Sequence, residues 1–290
     1  MRSLLTFFSL TYIVGWTFFA LAATISGGPA PRSGLAPLRS LLFLPGVFAP
    51  SLVALALTAR AGGRAATQAL LRQIFERPVG ARWYVFAGGY MAAIKLAAAL
   101  LHRLATGAWP PFGQEAWYIM AVATVVSTPV QAGEEIGWRG YALPRLARHL
   151  GLAPASVVLG VIWACWHLPV FFIPDTDKYG QSFPMYLLSV TALSVAMAWL
   201  YWRTNGSLLL VMLMHAAINS TKDIVPSAAS AATNPFALSG SLVGWLTAAL
   251  LWICAAYFLF RMRPADLSSS PARTVSSPPA APAAPSSRSR

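Results

Sequence analysis

Glu134-Glu135-Ile136-Gly137-Trp138-Arg139 is the stretch on which the reading of this chain turns. It sets two adjacent carboxylates and an arginine inside an apolar run, in a chain with only eight acidic residues among 290. An ionisable group at the centre of a membrane segment costs about 2.5–3.5 kcal/mol even on insertion scales, so such groups are paired or functional. On a helix, Glu135 and Arg139 stand four residues apart, share a face and can pair. Glu134 points about 100° away around the helix and is left without that partner. One carboxylate is then held in an ion pair and its neighbour is free for other work. The competing reading of the hexapeptide is a purely structural ion pair, or a solvated patch at a helix end.

The surroundings decide that the setting is a membrane. The chain is 57% hydrophobic and 10% charged, with a mean hydropathy of +0.60, whereas a soluble domain carries roughly 25% charged residues. Its formal net charge of +13 does not point to nucleic acid, because the basic residues are scattered between apolar runs and form no docking face. They read as topogenic charge facing a cytoplasm and anionic lipid. Cys165 and Cys254 both lie in apolar runs and read as small packing residues rather than a disulfide or metal pair.

Working outward, the apolar pattern predicts an all-α bundle of about eight transmembrane helices. They run over about 4–25, 40–59, 83–101, 117–144, 153–173, 184–202, 207–222 and 240–260. The first run is longer than the apolar region of a signal peptide, which favours a retained helix. Gly27-Gly28-Pro29 and Pro31 end it. Residues 60–82 carry Arg60, Arg64, Arg72, Arg77 and Arg82 with Leu70, Leu71, Ile74 and Phe75 at helical spacing. They read as an amphipathic helix on the membrane surface or as a basic loop. Lys95 falls within the third run, where pairing inside the bundle or snorkelling is the expectation and ligand binding the alternative. Residues 1–263 form one transmembrane domain, and the Ser/Pro/Ala/Arg-rich 264–290 is expected to be a disordered tail. Fifteen basic residues flank the side of the termini and five the other. This places both termini in the cytoplasm of a multi-pass cell-membrane protein, and the Ala/Arg-rich composition points to a bacterium. The site is expected to open to the cytoplasmic half of the bilayer.

Two further polar pairs interrupt the apolar runs. Trp163 and His167 lie four apart on the fifth span, as do His215 and Asn219 on the seventh, so each pair shares a helix face. The three groups in order, EEIGWR at 134–139, WACWH at 163–167 and HAAIN at 215–219, resemble the CPBP family. These are the CAAX-protease and bacteriocin-processing intramembrane peptidases, also called Abi, whose pattern is EExxxR, FxxxH and HxxxN on separate helices. The resemblance covers about 115–222, and the first three spans and the tail add little to it. Trp163 departs from the family's usual Phe but remains aromatic.

The resemblance implies an intramembrane endopeptidase that hydrolyses a peptide bond of a membrane-associated peptide or protein by glutamate-activated water. It gives Glu134 the general base and His167 the holding of the water. His215 and Asn219 would donate hydrogen bonds to the developing oxyanion, and Arg139 would secure Glu135. No cofactor is implied. A zinc site built from Glu134, His167 and His215, with one open position, is the mechanistic alternative. A non-catalytic protein, such as a proton-coupled transporter or a scaffold, is the alternative of another class.

Overall fold

Apolar runs become helices here because a backbone in lipid must satisfy its own N–H and C=O groups. In a computed structural model, the structure describes residues 2–26, 36–77, 80–174, 176–227 and 234–262. Gly27 to Pro31, Arg32, Asp175 and the expected tail over 264–290 lie outside the described residues. Among the described residues all regular structure is helical. In chain order the elements are α1 (Arg2–Ser26), α2 (Ala36–Arg72) and α3 (Ala81–Thr106). An interrupted span follows: α4 (Trp117–Ser127), a 3₁₀ turn (Thr128–Gln131), α5 (Ala132–Glu135), a π-helical stretch (Ile136–Ala142) and α6 (Leu143–Leu150). Then come α7 (Leu152–Trp166) with a 3₁₀ extension (Leu168–Phe172), α8 (Phe183–Arg203), α9 (Leu208–Thr221) and α10 (Leu242–Arg261). Among the described residues six helices are long and apolar enough to cross a membrane unaided. The two exceptions among the expected eight, the interrupted span and the short α9, are those that carry the Glu-Glu and His-Asn groups.

Proline and glycine set the interruptions. Pro129 has no N–H for the Val125 carbonyl, and the Thr128 N–H turns to Thr124 and Val125 instead, which tightens the backbone to 3₁₀. The expected stop at Pro144 does not occur. Pro144 lies in the first turn of α6, where no N–H is needed, and the helix runs on to Leu150. Glu134 is therefore deeper in its span than a stop at Pro144 would put it. The stretch over 60–82 also differs from a free surface helix. α2 continues past the membrane-length run, breaks at Gly63 with φ 62°, and ends in a 3₁₀ turn at Phe75. Its Leu70 is buried with Ile136, Leu208 and Met212, so this apolar face packs on protein.

The core that fixes the Glu-Glu stretch is aromatic. Trp138 is fully buried, 5.7 Å from the Phe7 ring and 5.8 Å from Trp166. The Phe19 ring lies 5.3 Å from Trp166, tilted against it. α1 is tied to α7 by Tyr12 Oη donating to the Ile162 carbonyl (2.6 Å) and Trp16 Nε1 donating to the Trp166 carbonyl (3.0 Å). α2 presses on the π-stretch so closely that a Cβ on Gly137 would stand 2.5 Å from the carbonyl carbon and oxygen of Pro50. Gly137→Ala should therefore lower the melting temperature in detergent and the folded yield, at a cost of about 1–3 kcal/mol. An unchanged melting temperature would mean that α2 slides freely over this face.

Candidate active site

The two adjacent glutamates take up opposite situations. Glu135 is fully buried, and Arg139 Nη1 donates to both of its oxygens at 2.8 and 3.0 Å. His215 Nδ1 lies 2.7 Å from Glu135 Oε1. A carboxylate accepts, so this nitrogen carries the proton and donates, leaving Nε2 as the other face of the ring. The guanidinium carbon of Arg139 sits 4.3 Å from the centroid of the Trp163 ring, a cation–π contact that partly offsets its Nε and Nη2, which have no hydrogen-bond partner among the described residues. The expected Glu135–Arg139 pair thus forms. The third member, His215, ties the first motif to the third across the bundle and was not legible from either motif alone.

Glu134 is also buried but lies on the wall of a cavity. Its Oε2 accepts a hydrogen bond of 2.7 Å from the indole Nε1 of Trp163, a contact that a phenylalanine at this position would lack. The Trp163 ring also meets His215 edge-on at 5.2 Å and His167 at 5.9 Å. His167 is oriented by the way α7 ends. Its N–H turns to the Ala164 carbonyl, which leaves the Trp163 carbonyl for the His167 side chain, and Nδ1 donates to it at 2.9 Å. The ring therefore offers Nε2 to the cavity. Asn219, one turn beyond His215, is exposed on the cavity wall. The structure thus brings Glu134, His167, His215 and Asn219 to one cavity, and holds Glu135 and Arg139 behind it.

That cavity, about 660 Å³, has apolar walls from Phe19, Phe43, Met91 and Leu251 and a polar rim of Asp177, Lys178, Lys222 and Asp223. Asp177 accepts from Lys222 at 2.7 Å and from Lys178 at 3.1 Å, clasping the loop before α8 to the end of α9. Burial pushes the Asp177 carboxyl up, but the two lysines outweigh it and hold it below the usual carboxylate range. Tyr186 of α8 also faces the cavity, 5.6 Å from the His167 ring. Nothing in its apolar surroundings marks it in the sequence. Lys95 forms no ion pair with a described carboxylate and does not snorkel. It is buried in the cavity wall and donates to neutral acceptors.

The rim lies at the C-terminal ends of α7 and α9. With both termini cytoplasmic, eight crossings put these ends on the opposite face. An N-in orientation and a cavity opening to the cytoplasmic half therefore exclude each other, which corrects the joint expectation. No three His, Cys, Asp or Glu side chains among the described residues gather as a metal-binding set, while the hydrogen bond between His215 Nδ1 and Glu135 leaves Nε2 open and does not speak against the zinc alternative.

Comparison with known proteins bears on the same segment. The family model described as Rce1-like, type II CAAX prenyl endopeptidase, matches residues 114–221. The chain is 24% identical over 234 residues to CAAX prenyl protease 2 of Methanococcus maripaludis, covering 76% of this chain and 83% of that protein. The matched segment carries all three motifs and the interrupted span. Over that segment this multi-pass membrane chain is similar to the CAAX prenyl endopeptidases.

Proposed function

We propose that the chain hydrolyses a peptide bond of a membrane-associated peptide by water activated at Glu134, without a metal. The observation that carries this is the asymmetry of the glutamates: Glu135 is spent on Arg139 and His215, while Glu134 sits on the cavity wall beside His167. Water held between Glu134 and His167 Nε2 gives its proton to Glu134 as its oxygen attacks the scissile carbonyl carbon. The resulting oxyanion is met by hydrogen bonds from the Asn219 amide and His215. Collapse breaks the C–N bond, and the proton on Glu134 passes to the departing amine. Trp163 and the Arg139–Glu135–His215 chain act as positioning groups.

The cavity supports a reading of the substrate class. Its apolar walls suit a peptide carrying a lipid or a strongly apolar segment, and the archaeal relative is named a prenyl protease. Bacteriocin-like and other unlipidated membrane peptides fit the same walls. Residues 1–263 would act as one catalytic domain, with the termini cytoplasmic as the arginine distribution favours.

A panel of quenched fluorescent peptides, some lipidated, tests this reading on purified protein in detergent. Cleavage that persists with chelator supports the metal-free reaction. Cleavage lost on chelation and restored by zinc reverses it. Proton-coupled flux in vesicles without any cleavage would instead identify a transporter.

A further inference from the structure

Lys95 on α3 is an unexplained cation inside the bundle. It is 1% exposed. Its Nζ donates to the Val225 carbonyl at 3.1 Å and to Ser227 Oγ at 2.7 Å. Both acceptors are neutral, and an ammonium has three N–H donors, so one donor remains without a hydrogen-bond partner and the charge without an ion pair among the described residues. Of the described carboxylates near this cavity, none hydrogen-bonds to Lys95, and Glu134 takes the Trp163 N–H. Glu135 belongs to Arg139 and His215, and Asp177 to Lys178 and Lys222. Asp223, with its side chain 70% exposed, lies beside Lys222 at 4.0 Å. The sequence over 228–233, which follows Ser227, contains no acidic residue. A charge placed at such expense in a membrane span calls for a ligand of opposite sign, and Lys95 and Ser227 line the same cavity as Glu134 and His167.

We propose that Lys95, steadied by Ser227 and the Val225 carbonyl, is the anion-binding point of the substrate cavity and takes a carboxylate of the peptide. This deepens the peptidase reading and rests on it. A peptide brings a carboxylate from two sources, its free C terminus or an Asp or Glu side chain. Either one pairs with the free N–H of Lys95 by a charge-assisted hydrogen bond, and so fixes which peptide bond reaches Glu134.

The test uses short fluorescein-labelled peptides of one sequence in three forms: a free C-terminal acid, a C-terminal amide, and an amide with one internal Asn changed to Asp. Binding to full-length Glu134→Gln in detergent is measured by fluorescence anisotropy, and cleavage by wild type in parallel. The free acid, or the Asp-bearing amide, should bind about 10- to 100-fold tighter than the plain amide, and which one does so identifies the source. Lys95→Met, added to the Glu134→Gln background, should bind all three alike. Lys95→Arg should keep part of the preference. Equal binding of the three forms by the parent protein overturns the proposal, as does a preference that survives in Lys95→Met. If Lys95→Met does not fold, Ser227→Ala, which loosens the ammonium, should narrow the preference; an undiminished ratio in that variant also overturns it. Absence of cleavage by wild type alongside an acid preference in binding would sink the peptidase reading while sparing the anion site.

Discussion

Glu134→Gln should abolish measurable peptide hydrolysis while leaving the protein folded. The substitution is isosteric, and the glutamine Oε1 can still accept the Trp163 indole hydrogen bond that now goes to Glu134 Oε2 at 2.7 Å. Neither Arg139 nor His215 touches Glu134 through a hydrogen bond, since both are bound to Glu135. The packing cost is small. What disappears is the ability to take a proton from water, and a positioned general base contributes about 10²–10⁴-fold to rate. Turnover of a quenched peptide should fall by that factor, with a melting temperature close to that of wild type. A variant that kept more than a tenth of the wild-type turnover would move the chemistry away from Glu134.

Glu135→Gln should fail in the opposite manner, by losing the fold. Glu135 and Arg139 are both 0% exposed in their side chains, and the charge on Arg139 has no carboxylate partner other than Glu135 among the described residues. Removing one member of a buried pair leaves an uncompensated charge and costs about 3–5 kcal/mol, a large part of the stability of an ordinary domain. Folded yield and melting temperature in detergent should both drop sharply. Adding Arg139→Met should recover the yield, because the stranded charge leaves with it, but not the activity, because His215 then faces a neutral amide in place of the carboxylate that holds it. If the single variant melts like wild type, the trio carries no such weight.

Much of this was legible because membranes impose simple rules. Length and apolarity locate spans, and four-residue spacing correctly pairs Glu135 with Arg139 and sets Glu134 aside. The same rules are silent on contacts between helices. Both His215 nitrogens look equivalent in sequence, and only packing shows that Nδ1 is given to Glu135. Trp163 reads as an aromatic filler until its indole N–H is found on Glu134. Helix ends were misjudged where proline does two different things: Pro129 breaks the α-pattern, while Pro144 opens the next helix. Lys95 defeated the pattern altogether, because pairing is a property of the cavity and not of α3.

The sharing of Glu135 between Arg139 and His215 also constrains how such a chain can change over generations. Three residues on two helices form one unit, and a single substitution in any of them strands a charge or frees a ring, so the trio is expected to drift together or not at all. Glu134, bound among the described residues through a tryptophan N–H that an amide would satisfy equally well, is under no comparable structural restraint. A descendant that abandoned hydrolysis and kept the bundle as a scaffold would shed Glu134 first and go on displaying an otherwise intact signature. The first letter of the hexapeptide would then separate working members from silent ones more reliably than the rest of the motif.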